Sequence, residues 1–294
     1  MASLKNVLLI GAGGNLGVPV LKEFLSSPYK VSVLTRKEST STFPEGVPVF
    51  KADYTDISSV QGAMEGKDVV ISMVGGIAAG DQQVFIDAAI AAGVKRFFPS
   101  EFGPYSRNPE FAALNPFILP AKTGTVDYLR SRESEISWSS LVTGAFFDWA
   151  MRMGFFGFDL PSKTVTLIDG GTAVFTSTSL STIGKALITM LDHADETKNQ
   201  YVFVSSFNVS QKDILDVVEK VDGQKWTVKH DTSEKVIAEG KRRLAAGDFA
   251  GIIDLTRGGA FGKQALGDSR PYGLWDDKLG LPKEDIEQAI KNVL

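Results

Sequence analysis

Near the start of the chain, Asn6 to Gly17 reads NVLLIGAGGNLG, an apolar run that breaks into a glycine cluster. Such a cluster can hold a pyrophosphate. Gly11 would make the tight turn, Gly13 or Gly14 would let the backbone approach an anion with no Cβ in the way, and Gly17 would let the next helix pack close to the strand. Asn15 and Leu16 would bring the first free N–H groups of that helix to the phosphates. A second feature is the basic pair Arg36-Lys37, which ends the next expected strand where an NAD enzyme usually offers a carboxylate. Arg36 can fork onto a ribose 2′-phosphate and Lys37 can add charge, so the pair points to NADP(H). Asp53, after the third expected strand, either accepts from an adenine amino group or caps the helix that begins near Asp56.

These residues need a scaffold that delivers them to one edge. Strands are predicted at Lys30 to Arg36, Val47 to Ala52, Val69 to Met73, Arg96 to Pro99 and Ser137 to Val142. Helices are predicted at Leu16 to Leu25, Ile57 to Met64, Gln82 to Ala92 and Ala121 to Arg130. The apolar stretch Val7 to Ile10 suits a strand covered on both faces. Such alternation means an α/β fold: a Rossmann-type, doubly wound parallel sheet whose ligands sit outside the carboxyl ends of the strands. The sheet domain is expected over residues 1–150. A smaller C-terminal α+β substrate domain is expected over 151–294, with some segments returning to the sheet. At the fourth strand's end, Val74, Gly75 and Gly76 would let backbone approach the cofactor, and Gln82 would open the next helix there.

Composition narrows the function classes. A formal net charge of −4 gives no basic field for phosphate backbones, so nucleic acid is not an expected partner. No run approaches the length of a membrane span and the N-terminus lacks the layout of a secretory signal, so a cytoplasmic location is expected. With no cysteine and only His193 and His230 as histidines, no metal site is expected. The segment from Thr143 to Asp159 holds Phe146, Phe147, Trp149 and Met153 among glycines. It is expected to form a pocket wall for a flat apolar substrate.

VKRFFPSEFG, from Val94 to Gly103, resembles the segment that marks the isoflavone reductase-like group of the NmrA-like atypical short-chain dehydrogenase/reductases. That group includes pinoresinol-lariciresinol and phenylcoumaran benzylic ether reductases. The glycine cluster, Arg36, IDAAIAAGVKRFFPSEFG from Ile86 to Gly103, and the lysine in PAKTGTVDYLR fall in the family's order. The resemblance runs weakly through Ser181 to Lys220 and is lost from Trp226 to Gly273. It implies that Lys122 is the acid or base and also contacts the cofactor. The conventional short-chain enzyme carries a tyrosine four residues before its lysine, and Ile118 stands there instead. The plant enzymes' arginine-rich stretch is replaced by Thr123 to Asp127, so their substrate preferences do not transfer. Phe102 is expected at the nicotinamide or substrate pocket, and Glu101 is expected to bond loop backbone.

The reading is an NADPH-dependent reductase that passes hydride to an aromatic or conjugated small molecule: a benzylic or allylic ether, an enone or a carbonyl. Two other readings stay open on the sequence. One is an NADP-binding redox sensor acting on a protein partner; the other is an isomerase or cyclase without net reduction. The oligomeric state is not legible.

Overall fold

The structure, a computed structural model, describes residues 4–75 and 82–294; Gly76 lies outside the described residues. The first half alternates β1 (Asn6–Ile10), α1 (Gly17–Leu25), β2 (Lys30–Arg36), β3 (Val49–Ala52), α2 (Ile57–Met64), β4 (Val69–Ser72), α3 (Gln83–Ala91) and β5 (Arg96–Phe98). Two consecutive helices, α4 (Pro109–Leu114) and α5 (Leu119–Ser131), precede β6 (Ser137–Val142). Then come β7 (Ala145–Phe146), α6 (Phe147–Arg152), β8 (Phe158–Asp159), β9 (Thr164–Ile168), β10 (Phe175–Thr178), α7 (Leu180–Asp192) and β11 (Gln200–Phe203). The chain closes with β12 (Phe207–Val209), α8 (Gln211–Asp222), β13 (Thr227–Asp231), α9 (Ser233–Ala245), α10 (Gly251–Phe261) and α11 (Ile286–Lys291).

Seven parallel strands form the main sheet in the order β11-β6-β5-β4-β1-β2-β3. The order reverses at β1, and a doubly wound sheet binds its ligand at such a switch point. The β1 side chains explain their continuous apolar run. Val7 and Leu9 face a layer with α1 and α7, while Leu8 and Ile10 face the layer of α2, α3 and α5. All four are fully buried, each contributing roughly 1.5–3 kcal/mol. α1 turns Val20, Leu21 and Phe24 inward at helical spacing, and α7 lays Ile183, Leu187 and Met190 beside them.

The second half builds two small sheets, β12-β10-β7 and β13-β9-β8, over a separate aromatic core. Its helices α4 and α10 meet where Gly259 lies against Phe111 and Leu114. A hollow of about 700 Å³ lies at the amino edge of the main sheet, away from the switch point. Its charges are matched internally: Lys95 pairs with Asp68 at 2.6 Å, and Tyr29 donates to Asp192 at 2.6 Å. Arg96, almost wholly buried there, donates to Ser137, Ser139 and the Ala194 carbonyl at 2.7–2.8 Å. These are structural contacts.

Candidate functional site

At the carboxyl edge a cavity of about 500 Å³ opens between the β1, β2 and β4 ends. Gly11 adopts φ +81°, and a Cβ built on it would stand 2.7 Å from the Met73 carbonyl. The Gly14 amide donates to the Gly11 carbonyl at 3.0 Å, closing the turn. A Cβ on Gly17 would stand 2.1 Å from the same carbonyl, so only glycine lets α1 approach β1. Gly17→Ala is expected to destabilise the fold by about 1–3 kcal/mol and to weaken dinucleotide binding, checked by thermal unfolding and cofactor titration. Gly13 and Gly14 line the cavity, with Gly13 opposite Ser41. Asn15 is exposed beside them, whereas the Leu16 side chain is buried in the core and leaves only its backbone at the helix start. In the first turn of α1 the Val18 amide donates to the Gly14 carbonyl at 3.1 Å, the Val20 amide donates to the Leu16 carbonyl at 3.2 Å, and Pro19 has no N–H.

Arg36 lines the cavity and makes no ion pair among the described residues. Lys37 follows it at the surface. The Asp53 carboxylate accepts from the Thr55 amide at 2.9 Å and the Thr55 hydroxyl at 2.7 Å. Those bonds, with Lys37 nearby, hold it below the usual carboxylate range. The α2 cap is Asp56, which accepts from the Ser58 amide, so of the two roles open for Asp53 the helix cap falls away. Sequence reasoning missed Ser39, Ser41, Tyr54 and Thr55, all on this wall; hydroxyls clustered after β2 and β3 were the available signal. Val74 and Gly75 also line the cavity. The buried Gln82 side chain instead accepts from the Ser100 amide at 3.0 Å, and the Ser100 hydroxyl donates to the Val74 carbonyl at 2.7 Å. Gln82 thus ties α3 to the loop after β5.

That loop carries the second group of residues. Pro120 enters the first turn of α5 and places Lys122 there, its amide bonded to the Ile118 carbonyl. The Lys122 Nζ donates to the Glu101 main-chain carbonyl and lies near Gly103. Burial lowers the ammonium below the ordinary lysine value, opposed by the negative charge of Glu101. Glu101 is 1% exposed: Oε1 accepts from the Ser106 amide at 3.2 Å, and Oε2 has no partner among the described residues. Burial pushes its carboxyl up, against the pull of Lys122, Ser106 and Arg107.

Beyond Gly103 the amides of Thr143 and Gly144 donate to its carbonyl at 3.2 and 3.0 Å. Pro104 and Gly144 then line an apolar cleft of about 50 Å³ with Phe111, Phe155, Phe175 and Phe261. The expected aromatic wall is corrected here. Phe147 is fully buried against Phe156 and Phe207 in the core, and Trp149 packs between two cores. Met153 is 64% exposed on a different hollow. Phe146 is half-buried on β7 and Phe102 is buried under the main sheet's edge, neither lining the cleft. The glycines are structural too: a Cβ on Gly144 would stand 2.1 Å from the Thr176 carbonyl, and Gly157 adopts φ +91°.

Residues 3–240 match the NmrA-like family. The oxidoreductase poxI of Penicillium oxalicum is 32% identical over 96% of this chain and 92% of its own length. The isoflavone reductase homolog IRL of Zea mays is 30% identical over 81% of this chain and 82% of its own. The structure superposes with TM-score 0.84 on AtPrR2, solved with NADP+ and (+)pinoresinol, at 18% identity over the whole of both chains. The crystal structure of isoflavone reductase gives 0.81 at 18% identity, over 99% of this chain and 100% of that one. On the matched sequence, the shared fold and these relatives, the chain belongs to the NmrA-like family and is an isoflavone reductase-like oxidoreductase.

Proposed function

We propose that the protein is an NADPH-dependent reductase acting on a flat, mainly apolar aromatic or conjugated molecule. The observation that carries this reading is Lys122 Nζ, which reaches from α5 to bond the loop that joins the cofactor edge to the phenylalanine-lined cleft. The cofactor is NADP(H), and the residues present fit it: a glycine cradle that a Cβ would fill and an arginine free to take a 2′-phosphate. When bound, it supplies the hydride. Addition to an enone or carbonyl leaves oxygen negative, and benzylic ether reduction expels a phenoxide, so each needs one proton. Lys122 holds that proton at Nζ, and Phe111, Phe155, Phe175 and Phe261 exclude water from the apolar end. The small apolar cleft suits the edge of a planar ring.

NADPH consumption across enones, carbonyls and aryl ethers tests this, since neither a redox sensor nor an isomerase uses NADPH stoichiometrically. Planar apolar compounds are expected to be reduced. Turnover confined to sugar phosphates or other highly charged compounds would overturn the assigned substrate class.

A further inference from the structure

We propose that Glu101 is the positioning residue for Lys122: its buried carboxylate is the counter-charge that keeps the lysine protonated until a substrate oxygen takes the proton. The proposal rests on Lys122 being the donor. A carboxylate is an expensive group to bury, and this one is 1% exposed with Oε2 unpartnered among the described residues. The hydrogen bond it accepts from the Ser106 amide needs only a neutral oxygen. Burial raises this carboxyl, so a cation beside it is what keeps it ionised. Arg107 faces the carboxyl too, but its guanidinium already pairs with Asp127 and donates to the Tyr201 hydroxyl at 3.1 Å. Tyr105 and Tyr201, whose rings lie 5.1 Å apart, are also near Glu101 and bring no positive charge. Of the two described cations that act on Glu101, Lys122 is the one in no ion pair among the described residues. The lysine spends a hydrogen bond on the Glu101 main-chain oxygen and makes no direct ion pair with the carboxylate, so the side chain acts through space.

That arrangement suits a donor better than a locked salt bridge. Nζ is held at the Glu101 main-chain oxygen while the nearby carboxylate keeps the ammonium together in a dry environment. In the step itself the Nζ–H bond breaks, an O–H bond forms on the substrate, the electron pair stays on nitrogen, and a solvent proton later restores the ammonium.

Glu101→Gln keeps the volume and the Ser106 acceptor and removes the charge. Thermal unfolding of the full chain with Glu101→Gln, Lys122→Met and both together reads the pairing without substrate. Lys122→Met strands the carboxylate and is expected to lower Tm, and the double variant should recover most of the loss. No recovery overturns the pairing. The pH–rate profile of Glu101→Gln, measured on the compound turned over best in the panel above, should lose activity at a pH lower by about one unit on its alkaline side. An unmoved limb makes Glu101 merely structural. Near-normal turnover by Lys122→Met overturns the donor assignment itself, and the unfolding cycle keeps that failure distinct.

Discussion

Lys122→Ala is expected to lower turnover by roughly 10²–10⁴-fold while leaving NADPH affinity largely intact. The two effects separate because the groups lie apart. The glycine turn and Arg36 line the cofactor cavity at the β1 and β2 ends, whereas Nζ lies on the loop after β5. Burial lowers the lysine, against the pull of the Glu101 charge. The sign follows from that direction. A lysine lowered in the fold is protonated only below its shifted pKa, so a donor at this position is fully active at lower pH and fails as pH rises through that value. Wild-type turnover should therefore fall at a pH below the ordinary lysine range, and the residual activity of Lys122→Ala should lack that limb. Steady-state kinetics across pH, with NADPH binding followed by fluorescence, checks both halves. Near-normal turnover by the variant would remove Lys122 from the chemistry.

The sequence signalled the main sheet because its physical demands are local. Val7 to Ile10 must be apolar on both faces, Gly17 must be glycine because a carbonyl occupies the place of its Cβ, and Pro120 opens α5 where its missing N–H costs nothing. Other features depend on partners remote in the chain. Gln200–Phe203 becomes the far edge of the main sheet only by pairing with β6, and nothing in those residues names that neighbour. The aromatic segment was misread for a related reason. Side-chain type alone does not separate Phe155, which lines the cleft, from Phe156, which is wholly buried beside it. Backbone direction does: the left-handed turns at Gly154 and Gly157 orient the pair, and helix α6 hides Phe147 inside. The expected bond of Glu101 to loop backbone is present, its Oε1 accepting from the Ser106 amide.

The cofactor preference gives the second large effect. Arg36 ends β2 at the cavity wall with Ser39, Ser41 and Thr55 around it, and no carboxylate among the described residues pairs with it. Tyr54 supports the same wall by donating its hydroxyl to the Leu34 carbonyl at 3.1 Å. A guanidinium at this wall can fork onto a phosphate, and a charge-assisted contact of that kind is worth about 1.5–3 kcal/mol. Wild-type protein should bind NADPH more tightly than NADH, and Arg36→Ala should weaken NADPH by roughly ten- to hundred-fold. NADH affinity should stay nearly constant, because NADH carries no 2′-phosphate for Arg36 to hold. Preference should narrow without inverting: Lys37 still supplies positive charge, and no carboxylate is introduced to receive the ribose hydroxyls. Screening adds an independent check, since the contact is ionic and exposed. The NADPH advantage of the wild type should shrink as salt rises, while the small residual advantage of Arg36→Ala should change little. Equal affinities for the two cofactors in the wild type would show that Arg36 is a solvated surface charge.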